Sequence, residues 1–153
     1  MTQCDACLRN QDIPSLPEWD RAYVTEYWRL AHAWSALEGW LVLIPRRHVQ
    51  ALDELTDPEA AEIGPLLAAA TAALRELVAC EKTYVMLFAE QEGHEHLHFH
   101  VVPRMRGFEK EHTGPGVFEF LRRPESEWVP VPERNRLAMQ VGDLMAGRFS
   151  DPS

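Results

Sequence analysis

The chain has 153 residues, 46% of them apolar and 25% charged, a balance that suits one globular domain and leaves too little for two. Its formal charge of −9 and sequence pI near 5.2 argue against general nucleic-acid or acidic-membrane binding, because both need a cationic surface. A small anionic substrate stays open: it needs only local positive potential, which Arg46, Arg47, Arg104, Arg106 and the histidines offer.

The N-terminus, Met1-Thr2-Gln3-Cys4-Asp5, lacks the basic-then-apolar layout of a secretory leader. No apolar run approaches the ~20 residues that span a bilayer, so a cytoplasmic protein is expected. Residues 1–18, with Pro14 and Pro17, read as an extended arm carrying Cys4-Asp5-Ala6-Cys7. Tyr23–Thr25 and Tyr27–Trp34 are rich in β-formers and predict two strands joined at Glu26. Gly39–Pro45 predicts a buried strand, ended by a proline that cannot donate to a ladder.

Thr56-Asp57-Pro58-Glu59 is a helix start, with a capping side chain, a first-turn proline and a capping-box glutamate. Ile63, Leu66, Leu67, Ala70, Leu74 and Leu77 follow at helical spacing, and the helix is expected to end near Ala79, with a kink or delayed start at Gly64-Pro65. Thr83–Ala89 predicts a strand, and a histidine-rich strand follows that stops at Pro103. Beyond it lie a loop from Gly107 to Gly116, a short apolar element at Val117–Leu121 and an irregular stretch at Pro124–Pro132. A last amphipathic helix starts near Pro132-Glu133, with Leu137, Val141, Leu144 and Met145 on one side. The pattern predicts a single α+β domain over 1–153: an antiparallel sheet of about five strands, a long helix packed on one face, and a C-terminal extension over 107–153 that ends in a helix.

The densest signal is His94-Glu95-His96-Leu97-His98-Phe99-His100-Val101-Val102. On a strand, alternate side chains share a face, so the four imidazoles would stand together while Leu97, Phe99 and Val101 face the core. Such a row supplies nucleophiles, proton carriers, metal ligands and anion donors; a chance cluster on an exposed strand is the competing reading. Same-face neighbours lie ~6.6 Å apart along a strand, which is awkward for a catalytic metal held by the row alone.

Cys4, Cys7 and Cys80 are the cysteines, and an odd count in a cytosolic chain favours metal binding or free thiols over a disulfide framework. Cys80, at the end of an apolar helical stretch, reads as a small core residue. Cys4-x-x-Cys7 is half of a zinc site, and His48 and His96 are available to complete it. The alternative is a disordered arm with free thiols.

Together these segments resemble the histidine-triad nucleotide-binding superfamily. Its motif, His-φ-His-φ-His-φ-φ with φ apolar, is matched by His96-Leu97-His98-Phe99-His100-Val101-Val102. Leu41–Val49 (a strand, then Pro45-Arg46-Arg47-His48), Leu55-Thr56 and Pro103-Arg104 are similar as well, so that the resemblance spans roughly residues 4–106.

The resemblance implies that His98 attacks the α-phosphorus of a nucleoside phosphoramidate or dinucleotide polyphosphate. A nucleotidyl-histidine forms and is released to water or another acceptor. His100 would bind phosphate oxygens, and His96 would assist the leaving group or bind zinc. The zinc-containing branch is the nearer match, implying a structural zinc on Cys4, Cys7, His48 and His96. The family commonly forms homodimers.

Some positions depart from the family pattern. Many members carry an asparagine on the strand before the triad and a serine or asparagine just upstream of it, where this chain has Glu90-Gln91-Glu92-Gly93. Gln91 or the Gly93 N–H would have to touch phosphate instead. The ribose-binding acid of many members is absent from Leu30–Trp34, with Glu38 nearby. Trp28, Trp34 and Trp40 read first as core, and base stacking is their alternative. His94 is extra to the triad and either extends the phosphate site or faces water. A nucleotide-binding, zinc-stabilised interaction module without efficient turnover is the second functional reading.

Overall fold

Five short apolar segments come together as one sheet. The computed structural model describes residues 3–150. In it β1 (Tyr23–Val24), β2 (Trp28–His32), β3 (Leu41–Pro45), β4 (Lys82–Leu87) and β5 (Phe99–Arg104) form an antiparallel sheet in the order β1-β2-β3-β5-β4. Met1 and Thr2, part of the leader reading, and residues 151–153, the end of the expected domain, lie outside the described residues. Among the described residues no helix is long and apolar enough to cross a membrane.

The register decides which side chains share a face, because directly paired residues point the same way. Phe99 pairs with Leu43 and Leu43 with Leu30, a row that faces the main core. Against that row pack α3 (Ile63–Val78), through Leu66, Ala69, Ala70, Ala73 and Leu74, and α5 (Val131–Ser150), through Leu137, Ala138, Val141 and Met145. The alanines let α3 lie close to the sheet. α5 comes so close to the chain before β1 that a Cβ on Gly142 would sit 2.1 Å from the Ala22 carbonyl oxygen. The expected break near Gly64-Pro65 is present: α2 (Asp57–Ala61) carries the Thr56–Glu59 capping box, and α3 starts after Glu62.

The other face holds the row His100–Val42–Ala31 and, one step along, Ile44–Arg29. Helices were expected on one face only, yet this second face is covered as well. The 3-10 turn Gly114–Phe118 and α4 (Glu119–Arg122) lay Val117 and Phe120 onto Trp40 and Val102. The apolar side chains of Val117–Leu121 need a dry surface, and Trp40, Val102, Tyr84 and Met86 provide it.

Two further expectations change. The arm is not extended throughout, because Asp5–Asn10 form helix α1, capped by the Cys4 sulfur, which accepts the Cys7 N–H at 3.4 Å. The histidine strand starts only at Phe99 and runs through Pro103 to Arg104. Upstream, positive φ at Ala89 (52°) and Gly93 (84°) bends the chain, and the Leu97 N–H bonds to the Val49 carbonyl at 2.8 Å instead of to a strand. Pro103 is tolerated because β3 partners β5 only as far as Val101, leaving one side of the strand without a partner there.

Candidate functional site

His96, His98 and His100 lie along the segment that enters β5, and each has its own hydrogen-bond partner. A carbonyl oxygen can only accept, so the ring nitrogen facing it must carry the proton. His98 Nδ1 is 2.8 Å from the His96 carbonyl oxygen, and its Nε2 is therefore a bare lone pair. His96 Nε2 is 2.8 Å from the Pro45 carbonyl oxygen, which leaves Nδ1 as its lone pair. His100 Nδ1 accepts the Trp40 indole N–H at 3.1 Å, so its proton sits on Nε2. The His98 and His100 rings meet edge to face, with centroids 4.8 Å apart.

Burial sets the charge of these rings. It pushes His100 down to about 3, with His98 adding to the effect. It also holds His98 and His96 below the ordinary imidazole range, partly opposed by the carbonyl each one faces. All three are neutral at neutral pH, and His98 presents an Nε2 lone pair that needs no base to uncover it.

A second constellation joins the arm to this segment. His96 Nδ1 lies 3.4 Å from Cys4 Sγ, 3.6 Å from Cys7 Sγ and 3.1 Å from His48 Nδ1, and His48 Nδ1 lies 3.2 Å from Cys7 Sγ. The four donor atoms all fall within 4.8 Å of one another and can hold a metal ion. A tetrahedral zinc with N and S ligands at about 2.1 and 2.3 Å has ligand–ligand edges of roughly 3.4–3.8 Å. The observed edges are at or slightly below that. As a thiol, Cys7 is pushed up to about 11 by burial and by the neighbouring Cys4, so a cation is what would draw out the thiolate. The donor set fits zinc.

The remaining sequence candidates lie elsewhere. Gln91, Gly93 and His94 are exposed in a turn closed by the His94 N–H on the Gln91 carbonyl oxygen at 2.8 Å. Arg46 bonds the Thr25 carbonyl oxygen and Arg47 pairs with Glu59, while Arg104 and Arg106 face Glu81. These arginines lend the triad no direct contact. Trp28 and Trp40 are buried, as their core reading expects, and Trp34 is 47% exposed. Trp34 contacts Trp128, Trp19 and the Arg9 guanidinium. Cys80 is buried, and Glu38 is exposed near Arg136.

Sequence reasoning passed over several residues that shape the site. Arg29, fully buried on the triad face of β2, donates to Asn10 Oδ1 at 2.8 Å and pairs with buried Asp20, which also takes Arg9. Asn10 in turn bonds the Pro45 carbonyl oxygen at 3.1 Å. Arg9, Asn10 and Arg29 thus lock α1 onto the sheet beside the Cys–His cluster. One signal was legible: a lone arginine inside Trp28-Arg29-Leu30-Ala31 demands a buried partner. Phe118, which meets the His100 ring at 5.1 Å and 86°, had no such signal, because it lies 18 residues downstream in the extension.

No family model matches the sequence, and no curated protein matches it either. Solved structures do. The chain is similar to a Zn-bound histidine triad family protein from Mycobacterium smegmatis, at 18% identity over 97% of this chain and 96% of that one, with a TM-score of 0.67. A hypothetical histidine triad nucleotide-binding protein from Sulfolobus tokodaii strain 7 matches at 14% identity over 94% and 93% of the two chains, TM-score 0.68. A Hit-like protein involved in cell-cycle regulation from Bartonella henselae matches at 16% over 94% and 98%, TM-score 0.66. At these identities the likeness shows the fold, which is the histidine-triad-like α+β fold.

Proposed function

We propose that this protein is a nucleotide-binding enzyme of histidine-triad type, a hydrolase or nucleotidyl transferase acting on nucleoside phosphoramidates or dinucleotide polyphosphates. The observation that carries the reading is the His98 tautomer: Nδ1–H is tied to the His96 carbonyl oxygen at 2.8 Å, and Nε2 is free and unprotonated. In the first step Nε2 forms a bond to the α-phosphorus and the bond to the leaving amine or phosphate breaks, the amine departing with a proton taken up from solvent that the second step gives back. In the second, water or another acceptor attacks the same phosphorus, releases the nucleotide and returns His98 to its neutral form. His100 Nε2–H would donate to a phosphate oxygen as charge builds on it.

The phosphate roles of Gln91 and Gly93 remain proposals, and both would need the exposed turn to close over the substrate. Cys4, Cys7, His48 and His96 are proposed to hold a structural zinc. That both His96 nitrogens are engaged, one by Pro45 and one by the cluster, supports the ligand role over a leaving-group role. Zinc there would pin the arm and the turn into β5, and so the carbonyl that orients His98. A cytoplasmic location is supported by three cysteines of which none is disulfide-bonded. A homodimer is proposed on the edge-strand argument given in the Discussion.

AMP release from adenosine 5′-phosphoramidate and from diadenosine polyphosphates, wild type beside His98→Ala, tests the reading. Release by wild type that falls at least about 1000-fold in the variant is expected for loss of a covalent nucleophile. The second reading, a binding module with weak turnover, is favoured by one feature: Glu90, Glu92 and Glu95 crowd the turn before the triad. It predicts nucleotide binding by calorimetry with no product from either protein.

A further inference from the structure

We infer that Trp40 is a positioning residue that fixes the tautomer of His100, so that His100 offers an N–H, and never a lone pair, to the group that His98 attacks. The inference rests on the proposed enzymatic reading only for what His100 then does. The tautomer itself is a statement about the protein alone.

An indole nitrogen can only donate. The Trp40 Nε1–H points at His100 Nδ1 from 3.1 Å. The nitrogen that receives it must hold a lone pair, and a neutral imidazole then carries its proton on Nε2. Trp40 is fully buried and His100 nearly so. Turning the His100 ring over or moving its proton to Nδ1 would leave the indole N–H without a partner in a dry environment, which is what the fold avoids.

The surroundings leave the pair little freedom. Trp40 and His100 meet at 87°, with centroids 5.6 Å apart. Phe118 closes on both, at 5.4 Å from Trp40 and 5.1 Å from His100. Phe118 belongs to the C-terminal extension, so that segment helps to build the site it covers. Behind Trp40 a second imidazole holds the backbone. His32 Nδ1–H bonds the Ala33 carbonyl oxygen at 2.8 Å, and His32 Nε2 accepts the Gly39 N–H at 2.9 Å. Gly39 has φ of 94°, and a Cβ there would stand 3.1 Å from Pro103 and 3.2 Å from Leu74, so a side chain in the turn that delivers Trp40 would be strained and crowded. The Ala33 N–H bonds the Trp40 carbonyl oxygen at 2.8 Å and completes the support.

The consequence is a division of labour between adjacent histidines. His98 is held with its lone pair on Nε2 by a carbonyl acceptor, and His100 with its proton on Nε2 by an indole donor. Opposite partners on Nδ1 make one ring a nucleophile and its neighbour a neutral hydrogen-bond donor.

Long-range 1H–15N spectra of the labelled protein read the tautomer of each histidine directly, and a through-hydrogen-bond coupling between Trp40 Nε1 and His100 Nδ1 reads the contact in wild type. The expected result is an Nε2–H His100 with that coupling present, and a mixture of tautomers in Trp40→Phe, which keeps an apolar ring and loses the N–H. In turnover, Trp40→Phe is expected to lower kcat about tenfold or more while KM stays within about twofold, because the donor acts as charge develops. A wild-type His100 protonated on Nδ1, or a Trp40→Phe spectrum with the tautomer unchanged, overturns the inference. Should Trp40→Phe fail to fold, the wild-type tautomer and coupling decide alone. If the tautomer follows Trp40 but neither protein releases a nucleotide, the positioning role stands and the enzymatic reading falls.

Discussion

Histidine chemistry in this chain is decided by what the ring nitrogens meet. His98 and His32 donate from Nδ1 to carbonyl oxygens, His100 accepts an indole N–H, and His96 turns Nδ1 toward two sulfurs and another imidazole. His32 has a consequence for stability. Burial drives it from the ordinary 6.5 down to about 4, so the folded state resists protonation and the unfolded state does not. Its contribution is complete above about pH 6.5 and is lost as pH falls toward 4, because the unfolded chain then binds the extra proton. The shift corresponds to roughly 3 kcal/mol across that window. His32→Asn offers an amide oxygen and an amide N–H in place of the two ring nitrogens. It should flatten the pH dependence of the thermal midpoint between pH 4 and 6.5 relative to wild type, measured by calorimetry. A dependence as steep as wild type would assign the acid sensitivity to other groups.

At the scale of elements, β4 is an edge strand with β5 on one side and, among the described residues, no strand on the other. Edge strands expose unpaired N–H and C=O groups and usually carry a device against association. Here Val85 is 45% exposed and Phe88, just beyond the strand, 57% exposed. Beside the strand a cleft of about 710 Å³ runs between α3 and β4, lined by Arg75, Lys82 and Arg148 and by Glu76 and Glu81. Mixed charge along an antiparallel edge is self-complementary under a two-fold axis, which supports a second copy as the occupant. Val85→Lys adds a positive charge to that edge, which two copies paired through it would have to accommodate. Light scattering should report a dimer for wild type and a mass near 17.5 kDa for the variant. A wild-type monomer at about 100 μM, far above the Kd of a stable dimer, would sink the proposal.

For the whole molecule, the N-terminal arm and the triad are one unit. α1 is held at one end by Cys4 and Cys7 against His48 and His96, and at the other by Arg9 and Asn10 against the buried Asp20–Arg29 pair. A bound ion would stabilise the folded state by mass action, since the unfolded chain has no preformed site. Elemental analysis of the purified protein should find one zinc per chain, and a strong chelator should lower the thermal midpoint by about 5 °C or more. Cys4→Ser should bind less metal and approach the chelated midpoint. A metal-free wild type that melts at the same temperature with and without zinc would remove the zinc proposal and leave the polar lock alone to hold the arm.

Local pattern settled a good deal. The capping box at Thr56–Glu59 and the apolar spacing from Ile63 to Leu77 specify α2 and α3, because helix capping and periodicity are properties of neighbouring residues. Most strand segments were legible from β-branched and apolar runs, though β5 begins only at Phe99, and the histidine spacing singled out the candidate residues before any fold was known. The tertiary structure decided what depends on residues distant in the chain. The β5 register sets His100 beside Val42 and brings Trp40 to its Nδ1 from 60 residues away. The docking of α1 on the sheet runs through Arg29 and Asp20, which no local pattern connects to the arm. Phe118 reaches His100 only because the extension needed an apolar face to cover and found the second face of the sheet. Sequence could name the imidazoles, since side-chain chemistry is local. Which nitrogen carries the proton is fixed by a nearby carbonyl for His98 and His32, but for His96 and His100 by Pro45 and Trp40, distant in the chain, and only the packed structure supplies those partners.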